Sequence, residues 1–265
     1  MMDGVLRAHG VTDKGRVRAT NEDCFVVDER LHLCVVADGM GGHNAGEVAA
    51  HMAVAGIVAF VRENVERAGA HAALATDATW PFGVDPSLSE GGNLLRTAVH
   101  LANAQILAAA AAEAYAGMGT TVVAALVAGG RLSVAHVGDS RLYLVANGGI
   151  RQITHDDSWV ATVLAQNPEA DPAVLQHHPM RNALTNVVGA RPRVDVHVVE
   201  EMLAGGERLL LSTDGVHGIL DESVLERIVA DGRDLAGVPQ ELVTAALARG
   251  SRDNCTVVVA QYTRD

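Results

Sequence analysis

Leu33-Cys34-Val35-Val36-Ala37-Asp38-Gly39-Met40-Gly41-Gly42-His43 runs from an apolar strand into an acid and then into a glycine-rich turn. Leu31 to Ala37 has hydrophobic residues at successive positions, which predicts a strand covered on both faces. A buried strand that stops at a carboxylate delivers one charge to its open end. Glycine then lets the backbone bend back and point its own carbonyls at a ligand. Taken alone, an Asp-Gly pair after a strand is ordinary turn chemistry.

Working outward, the helical spacing of Val48, His51, Met52, Ala55, Val58, Ala59 and Arg62 predicts a helix over Glu47 to Val65. Asn93 to Ala116 is alanine-rich and reads as a second long helix, antiparallel to the first on one face of a sheet. Between them Thr76 to Gly92 reads as a loop pinned to the body by Trp80 and Phe82. Leu6 to Val11 and Asp23 to Asp28 read as strands before this block. Thr120 to Ala128, Leu132 to Val137, Leu142 to Ala146 and Ile150 to Thr154 follow it as strands, with Gly129-Gly130 and Asn147-Gly148-Gly149 as hairpin turns. Short helices are expected over Asp157 to Gln166 and Pro172 to His177, then strands over Val194 to Val199 and Arg208 to Thr213. Helices over Asp221 to Asp231 and Val238 to Arg249, and a closing strand over Cys255 to Tyr262, complete the pattern. Strands and helices come in blocks, which favours antiparallel sheets covered by helices over a doubly wound parallel sheet. One domain, 1–265, is expected, with an insert at about 156–188.

The 265 residues are 49% hydrophobic but only 3% aromatic, so the core must be mostly Ala, Val and Leu. A formal net charge of -12 argues against a nucleic-acid partner, which needs a basic face. Cys24, Cys34 and Cys255 are odd in number and none pairs at metal-ligand spacing, so reduced structural thiols are expected. The first ten residues hold no apolar signal core, and Met52 to Val61 is too short to span a bilayer. A cytoplasmic monomer with no membrane partner is the resulting expectation.

The opening pattern recurs. Asp214-Gly215 ends Leu209 to Thr213, Asp139 ends Val134 to Gly138, and Asp253-Asn254 opens Cys255 to Val259. Carboxylates that converge repel one another unless protonated or neutralised by cations. Oxygen donors without Cys or His select hard divalent ions such as Mg²⁺ or Mn²⁺, and no His-x-x-His or Cys-x-x-Cys pair suggests zinc. Two such ions about 3.5–4 Å apart can bridge a water and aim it at phosphorus. The residues themselves thus point to a metal-assisted phosphohydrolase.

Several further stretches occur in order along almost the whole chain: Gly15-Arg16-Val17-Arg18-Ala19-Thr20-Asn21-Glu22-Asp23, Gly117-Met118-Gly119-Thr120-Thr121, Val137-Gly138-Asp139-Ser140-Arg141, Ile153-Thr154-His155-Asp156, Arg181-Asn182-Ala183-Leu184-Thr185, Leu211-Ser212-Thr213-Asp214-Gly215 and Ser251-Arg252-Asp253-Asn254-Cys255-Thr256. With Val36 to His43 they resemble the bacterial branch of the PPM/PP2C-type metal-dependent protein serine/threonine phosphatases. The resemblance implies an α+β fold, a four-layer α-β-β-α sandwich of two antiparallel sheets flanked by helix pairs. It implies two divalent cations, Mn²⁺ or Mg²⁺, with a third, weaker one held by Asp139. Asp38 would bridge the first two, Gly39 would give a carbonyl, and Asp214 and Asp253 would complete the set. Glu22, Asp23 and Asn254 would support the metal-bound waters, and Arg18 would clamp the phosphate. A metal-bridging hydroxide would then attack the phosphorus of a phosphoserine or phosphothreonine in line. The leaving alkoxide has two candidate proton donors, His43 and a metal-bound water. The implied partners are phosphoproteins and a cognate bacterial Ser/Thr kinase.

Two positions depart from the resemblance. Asp157 stands where Asp-His-Ser would place His, and Asn186 stands where Arg would follow Leu-Thr. Both lie in or beside the insert, which resembles a flap over the substrate groove, so flap packing is where their effect is expected. His155, His177 and His178 read as surface or packing residues, and Glu47 as a first-turn helix acid. A catalytically silent phosphoprotein binder and a small-molecule phosphatase are the two rival functions the sequence leaves standing.

Overall fold

The apolar runs are divided between two faces by the two-residue period of a strand. The computed structural model describes residues 4–42, 44–70, 80–146, 148–175, 177–231 and 234–264. Its strands in chain order are β1 (Val5–Asp13), β2 (Asp23–Asp28), β3 (Leu33–Met40), β4 (Gly119–Thr120), β5 (Val122–Ala128), β6 (Arg131–Val137), β7 (Arg141–Ala146), β8 (Gly149–Gln152), β9 (His197–Met202), β10 (Arg208–Ser212) and β11 (Cys255–Thr263). Its helices are α1 (Ala45–Ala70), α2 (Glu90–Ala109), α3 (Trp159–Gln166), α4 (Pro172–Leu175), α5 (Asp214–His217), α6 (Glu222–Ala230) and α7 (Val238–Ala248). One sheet has the order β1-β11-β10-β7-β8, and the other β2-β3-β5-β6-β9 with β4 paired to β3.

Three apolar layers result. In β3, Leu33, Val35 and Ala37 face α1 and α2, while Cys34 and Val36 face the other sheet. In β11, Val258, Ala260 and Tyr262 face the layer between the sheets, while Cys255, Val257 and Val259 face α6 and α7. Each run is uniformly hydrophobic because both of its faces are covered. The expected α-β-β-α sandwich of antiparallel sheets is the observed fold.

Several elements differ from expectation. The second long helix stops at Ala109 instead of Ala116. Ala110 to Ala112 offer little side chain to bury, and the chain must turn through Gly117 (φ 77°) to place Met118, 1% exposed, in the helix-side core. The penultimate pair is shifted too: the strand expected over 194–199 is β9 at His197–Met202. Ala45–Arg67 of α1 is, by length and composition, apolar enough to cross a membrane, and so exceeds the Met52–Val61 stretch expected to be too short. Its apolar residues are accounted for by packing on β3 and α2. Of the loop before α2, residues 71–79 lie outside the described residues; Trp80 packs on the helix-side core and Phe82 stacks on His100 at 4.9 Å.

Antiparallel pairing decides where the acids go. Asp38 lies near the end of β3 directly opposite Asp23 at the start of β2. β5 runs antiparallel to β3 and β6 antiparallel to β5, so Asp139, just past β6, emerges at the same edge. In the other sheet β10 ends before Asp214 where its antiparallel neighbour β11 begins after Asp253.

Candidate active site

Asp38 is fixed through its backbone. Its N–H donates to Thr121 Oγ1 at 3.0 Å, and its carbonyl accepts from Thr121 N at 2.8 Å and Thr120 Oγ1 at 2.9 Å. This leaves the carboxylate to face the sheet edge. The threonines belong to the Gly-Met-Gly-Thr-Thr stretch, whose role of holding Asp38 was not foreseen from sequence.

The turn after Asp38 is packed against the start of α1. Gly39 N donates to the Glu22 carbonyl at 3.1 Å. A Cβ on Gly39 would meet the Gly46 carbonyl oxygen at 2.0 Å and the Glu22 carbonyl at 2.7 Å. Gly39 is therefore required by close backbone approach. Gly39→Ala is expected to lower stability by about 3 kcal/mol, because backbone cannot yield as a side chain can. A thermal melt against wild type checks this, and a change below about 0.5 kcal/mol would contradict the packing argument.

Asp23 is buried, 4% exposed, and its Oδ2 accepts from Thr213 Oγ1 at 2.9 Å and Thr256 Oγ1 at 2.6 Å. These bonds tie β2 to both central strands of the opposite sheet. Asn254 does similar work: its Oδ1 accepts from Glu22 N at 2.9 Å, and its Nδ2 donates to the carbonyls of Lys14 and Thr20. Arg18 Nη2 pairs with Asp253 Oδ2 at 2.7 Å.

The electrostatics are those of an acidic cluster. Burial, then Asp23, Asp214, Asp139 and Asp253, push the Asp38 carboxyl well above the usual carboxylate range. Burial and then Asp214 push Asp139 up to about 7. Burial and then Asp253 push Asp214 up to about 6, with Arg18 opposing. Asp23 rises to about 7, chiefly from burial, against the two threonine hydroxyls. Asp214 Oδ1 and Asp23 Oδ1 are buried without a hydrogen-bond donor among the described residues. Buried carboxylate oxygens without donors, inside a cluster of like charges, are a donor set that fits hard divalent cations. His43 lies outside the described residues.

A cleft of about 640 Å³ opens beside this edge. Its lining includes the acids Asp139, Asp214 and Asp253, the apolar Val160 and Leu164 of α3, and the guanidinium groups of Arg181 and Arg252. Arg141, also at the cleft, is engaged by Asp156 through two bonds of 2.9 and 2.7 Å. Within residues 156–188 Ser158 bridges Leu184, which brings the two ends of the segment together, and Val188 bridges Thr120 of β4.

Comparison with known proteins fits this arrangement. The family model for protein phosphatase 2C matches residues 16–248. The serine/threonine phosphatase stp of Listeria welshimeri serovar 6b is 34% identical over 260 residues, 97% of this chain and 96% of that protein. The crystal structure of the Mycobacterium tuberculosis serine/threonine phosphatase PstP/Ppp has a TM-score of 0.80 at 32% identity, covering 97% of this chain and 98% of that one. The catalytic domain of PstP in complex with two manganese ions has a TM-score of 0.79 at 32% identity, covering 98% and 99%. With two antiparallel sheets presenting this carboxylate edge and a match over most of its length, the chain belongs to the protein phosphatase 2C family.

Proposed function

We propose that the chain is a metal-dependent protein phosphatase that hydrolyses phosphoserine and phosphothreonine monoesters. The observation that carries this reading is the gathering of Asp38, Asp139, Asp214 and Asp253 from both sheets at one edge, beside a cleft whose lining includes guanidinium groups. Two manganese or magnesium ions would be held by Asp38, the Gly39 carbonyl, Asp214 and Asp253, in keeping with the two manganese ions of the PstP structure. When bound, such ions supply an acidified water as nucleophile and neutralise charge on the phosphoryl oxygens.

The protein's own groups do the rest. Glu22, Asp23 and Asn254 lock the two sheets together where the acids meet, so the carboxylates cannot spread apart. Arg18 reaches Asp253 through one Nη only, and the rest of its planar fork suits two oxygens of a phosphate dianion. His43 is the protein's candidate donor to the leaving alkoxide. The segment 156–188 acts as the flap of a single phosphatase domain, and Arg181 and Arg252 attract the phosphorylated side chain despite the net charge of -12. Phosphoproteins are the substrates, with a cognate Ser/Thr kinase supplying the modification. The acidic surface supports neither nucleic-acid nor membrane partners, and a cytoplasmic monomer is the working assignment.

The test is hydrolysis of a phosphopeptide panel with Mn²⁺ and with EDTA, alongside sugar phosphates and nucleotides. Turnover of phosphopeptides that needs Mn²⁺ and disappears in EDTA is expected. Undiminished turnover in EDTA, or a metal-loaded protein inert toward phosphopeptides, overturns the reading. Asp139 is proposed to hold a third, weaker ion at the cleft. Asp139→Ala should retain two ions by metal analysis yet turn over about 10–100-fold more slowly, in keeping with one lost charge contact to the reacting group. Unchanged turnover would make Asp139 structural.

A further inference from the structure

Near the Val137-Gly138 end of β6, three imidazoles and a carboxylate lie together. His136 of β6 stands directly across from His197 of β9, their ring centroids 5.1 Å apart and their planes 29° apart. His155 presents its edge to both, at 4.7 Å from His136 and 4.2 Å from His197. Asp157 Oδ1 is 3.0 Å from His197 Nε2.

The carboxylate is held in place from its other side. Asp157 Oδ2 accepts from Gly138 N at 3.0 Å and from Asn186 Nδ2 at 2.8 Å. Asn186 is in turn fixed on Asp195 through its carbonyl and amide at 2.7 and 3.3 Å. The two positions that depart from the family pattern thus meet each other, and both serve this cluster. Their contacts run to Gly138, Asp195 and His197, outside the 156–188 segment.

One donor atom each from His155, Asp157 and His197 lies within 4.8 Å of the other two. A tetrahedral zinc site needs its donors about 3.3 Å apart, so a modest inward turn of side chains closes it. His155 is exposed and free to make that turn. An independent observation points to the same ligand. His136 is 0% exposed, and neither of its ring nitrogens has a hydrogen-bond partner among the described residues. A buried imidazole is normally paired, because a buried polar group without a partner has lost its water and gained nothing in return. His136 continues the face of β6 that carries Leu132 and Val134 into the layer between the sheets, and its ring packs against the other two imidazoles. Burial and the neighbouring histidines keep it neutral, with a lone pair to offer.

We propose that His155, Asp157 and His197 form a binding site for a zinc-class transition-metal ion, with the His136 ring supplying its buried wall. Imidazole and carboxylate donors suit Zn²⁺ or Co²⁺, whereas all-oxygen sites favour Mg²⁺ and Mn²⁺. The ion joins His197 of β9 to His155 and Asp157, where the 156–188 segment opens, so it anchors the start of that segment to the sheet. None of its ligands belongs to the acidic edge, and the proposal does not depend on phosphatase activity.

The experiment is a Co²⁺ titration of metal-free protein in a large excess of Mg²⁺, which occupies oxygen-only sites, read by the visible ligand-field absorption of Co²⁺. A single ion is expected in wild type and equally in Asp38→Asn. His155→Ala, at an exposed position that folding tolerates, should weaken it by about 100-fold or more, with circular dichroism unchanged. His197→Gln and Asp157→Asn should do the same, and Zn²⁺ should displace the Co²⁺ signal. No absorption band in wild type, or the same band in His155→Ala and His197→Gln, overturns the proposal. A band lost in Asp38→Asn but kept in His155→Ala places the ion at the acidic edge and also overturns it.

Discussion

Asp38→Asn is expected to lower phosphopeptide turnover by about 10³-fold or more while making the metal-free protein more stable. The first effect follows from position. Asp38 is the one acid that faces both Asp139 of its own sheet and Asp214 and Asp253 of the other. Removing its charge takes away the proposed shared ligand, and several kcal/mol of transition-state stabilisation would depend on the ions it holds. The second effect follows from electrostatics. Burial and four neighbouring carboxyls oppose ionisation of Asp38, so a neutral isostere relieves repulsion by something on the order of 1 kcal/mol near neutral pH. Asn keeps the shape, and the backbone bonds to Thr120 and Thr121 do not involve the side chain. Thermal melts with and without Mn²⁺ test both. The variant should melt higher than wild type without metal and gain little from Mn²⁺. Turnover within tenfold of wild type, or an undiminished gain from Mn²⁺, would remove Asp38 from the centre of the site.

A residue chosen for stability would not behave this way. The fold holds at this edge because Thr213, Thr256 and Asn254 bind Asp23 and the Glu22 backbone across the sheets. The repulsion among the buried acids is thereby set against hydrogen bonds that threonine and asparagine side chains make across the two sheets. Catalytic acids and structural ties occupy neighbouring positions with opposite effects on the free energy of the metal-free chain.

The sandwich was legible because a strand covered on both faces leaves a continuous apolar run, and β3, β5, β10 and β11 all have one. The acids were legible because each interrupts or borders such a run. α5 was missed: Asp214-Gly215 reads as a turn, yet the chain makes one helical turn from Asp214 to His217 that brings His217 Nδ1 to 2.9 Å from Ser212 Oγ. The end of α2 was misplaced because alanine favours helix at any position, while the demand that Met118 return to the core is tertiary. The histidine cluster was illegible for a different reason. His136, His155 and His197 share no spacing, and only the β6–β9 register and the return from β8 bring them together. Asp157 and Asn186 were visible as departures, but their mutual contact is a product of the fold.

The affinity of the acidic edge for Mn²⁺ is expected to rise steeply between pH 5 and 7 and to level off above. Asp23 and Asp139 titrate near 7 and Asp214 near 6 in the protein, against about 4 for the unfolded chain. A carboxyl raised in this way contributes stability that is fully present below about pH 4 and is lost as the pH rises through 6 to 7. Metal-free protein should therefore lose stability from these groups across that window. Carboxyls held low by partners, such as Asp28 beside Arg62 and Asp157 beside His197, act in the opposite sense but below about pH 4, outside it. Buried neutral His136 and His217 also oppose the trend, their contribution rising with pH up to about 6.5. Comparing melts with and without Mn²⁺ cancels the terms that metal does not touch. What remains is the proton released when a cation replaces it, worth about tenfold in affinity per pH unit for each proton displaced. Calorimetric titration in buffers of different ionisation enthalpy counts those protons directly. At least one per ion is expected at pH 6, falling toward zero at pH 8, and the Mn²⁺-induced gain in melting temperature should grow over the same range. Affinity that stays flat from pH 5 to 7.5 would show that these carboxyls are already ionised without metal, and would refute the electrostatic account of the site.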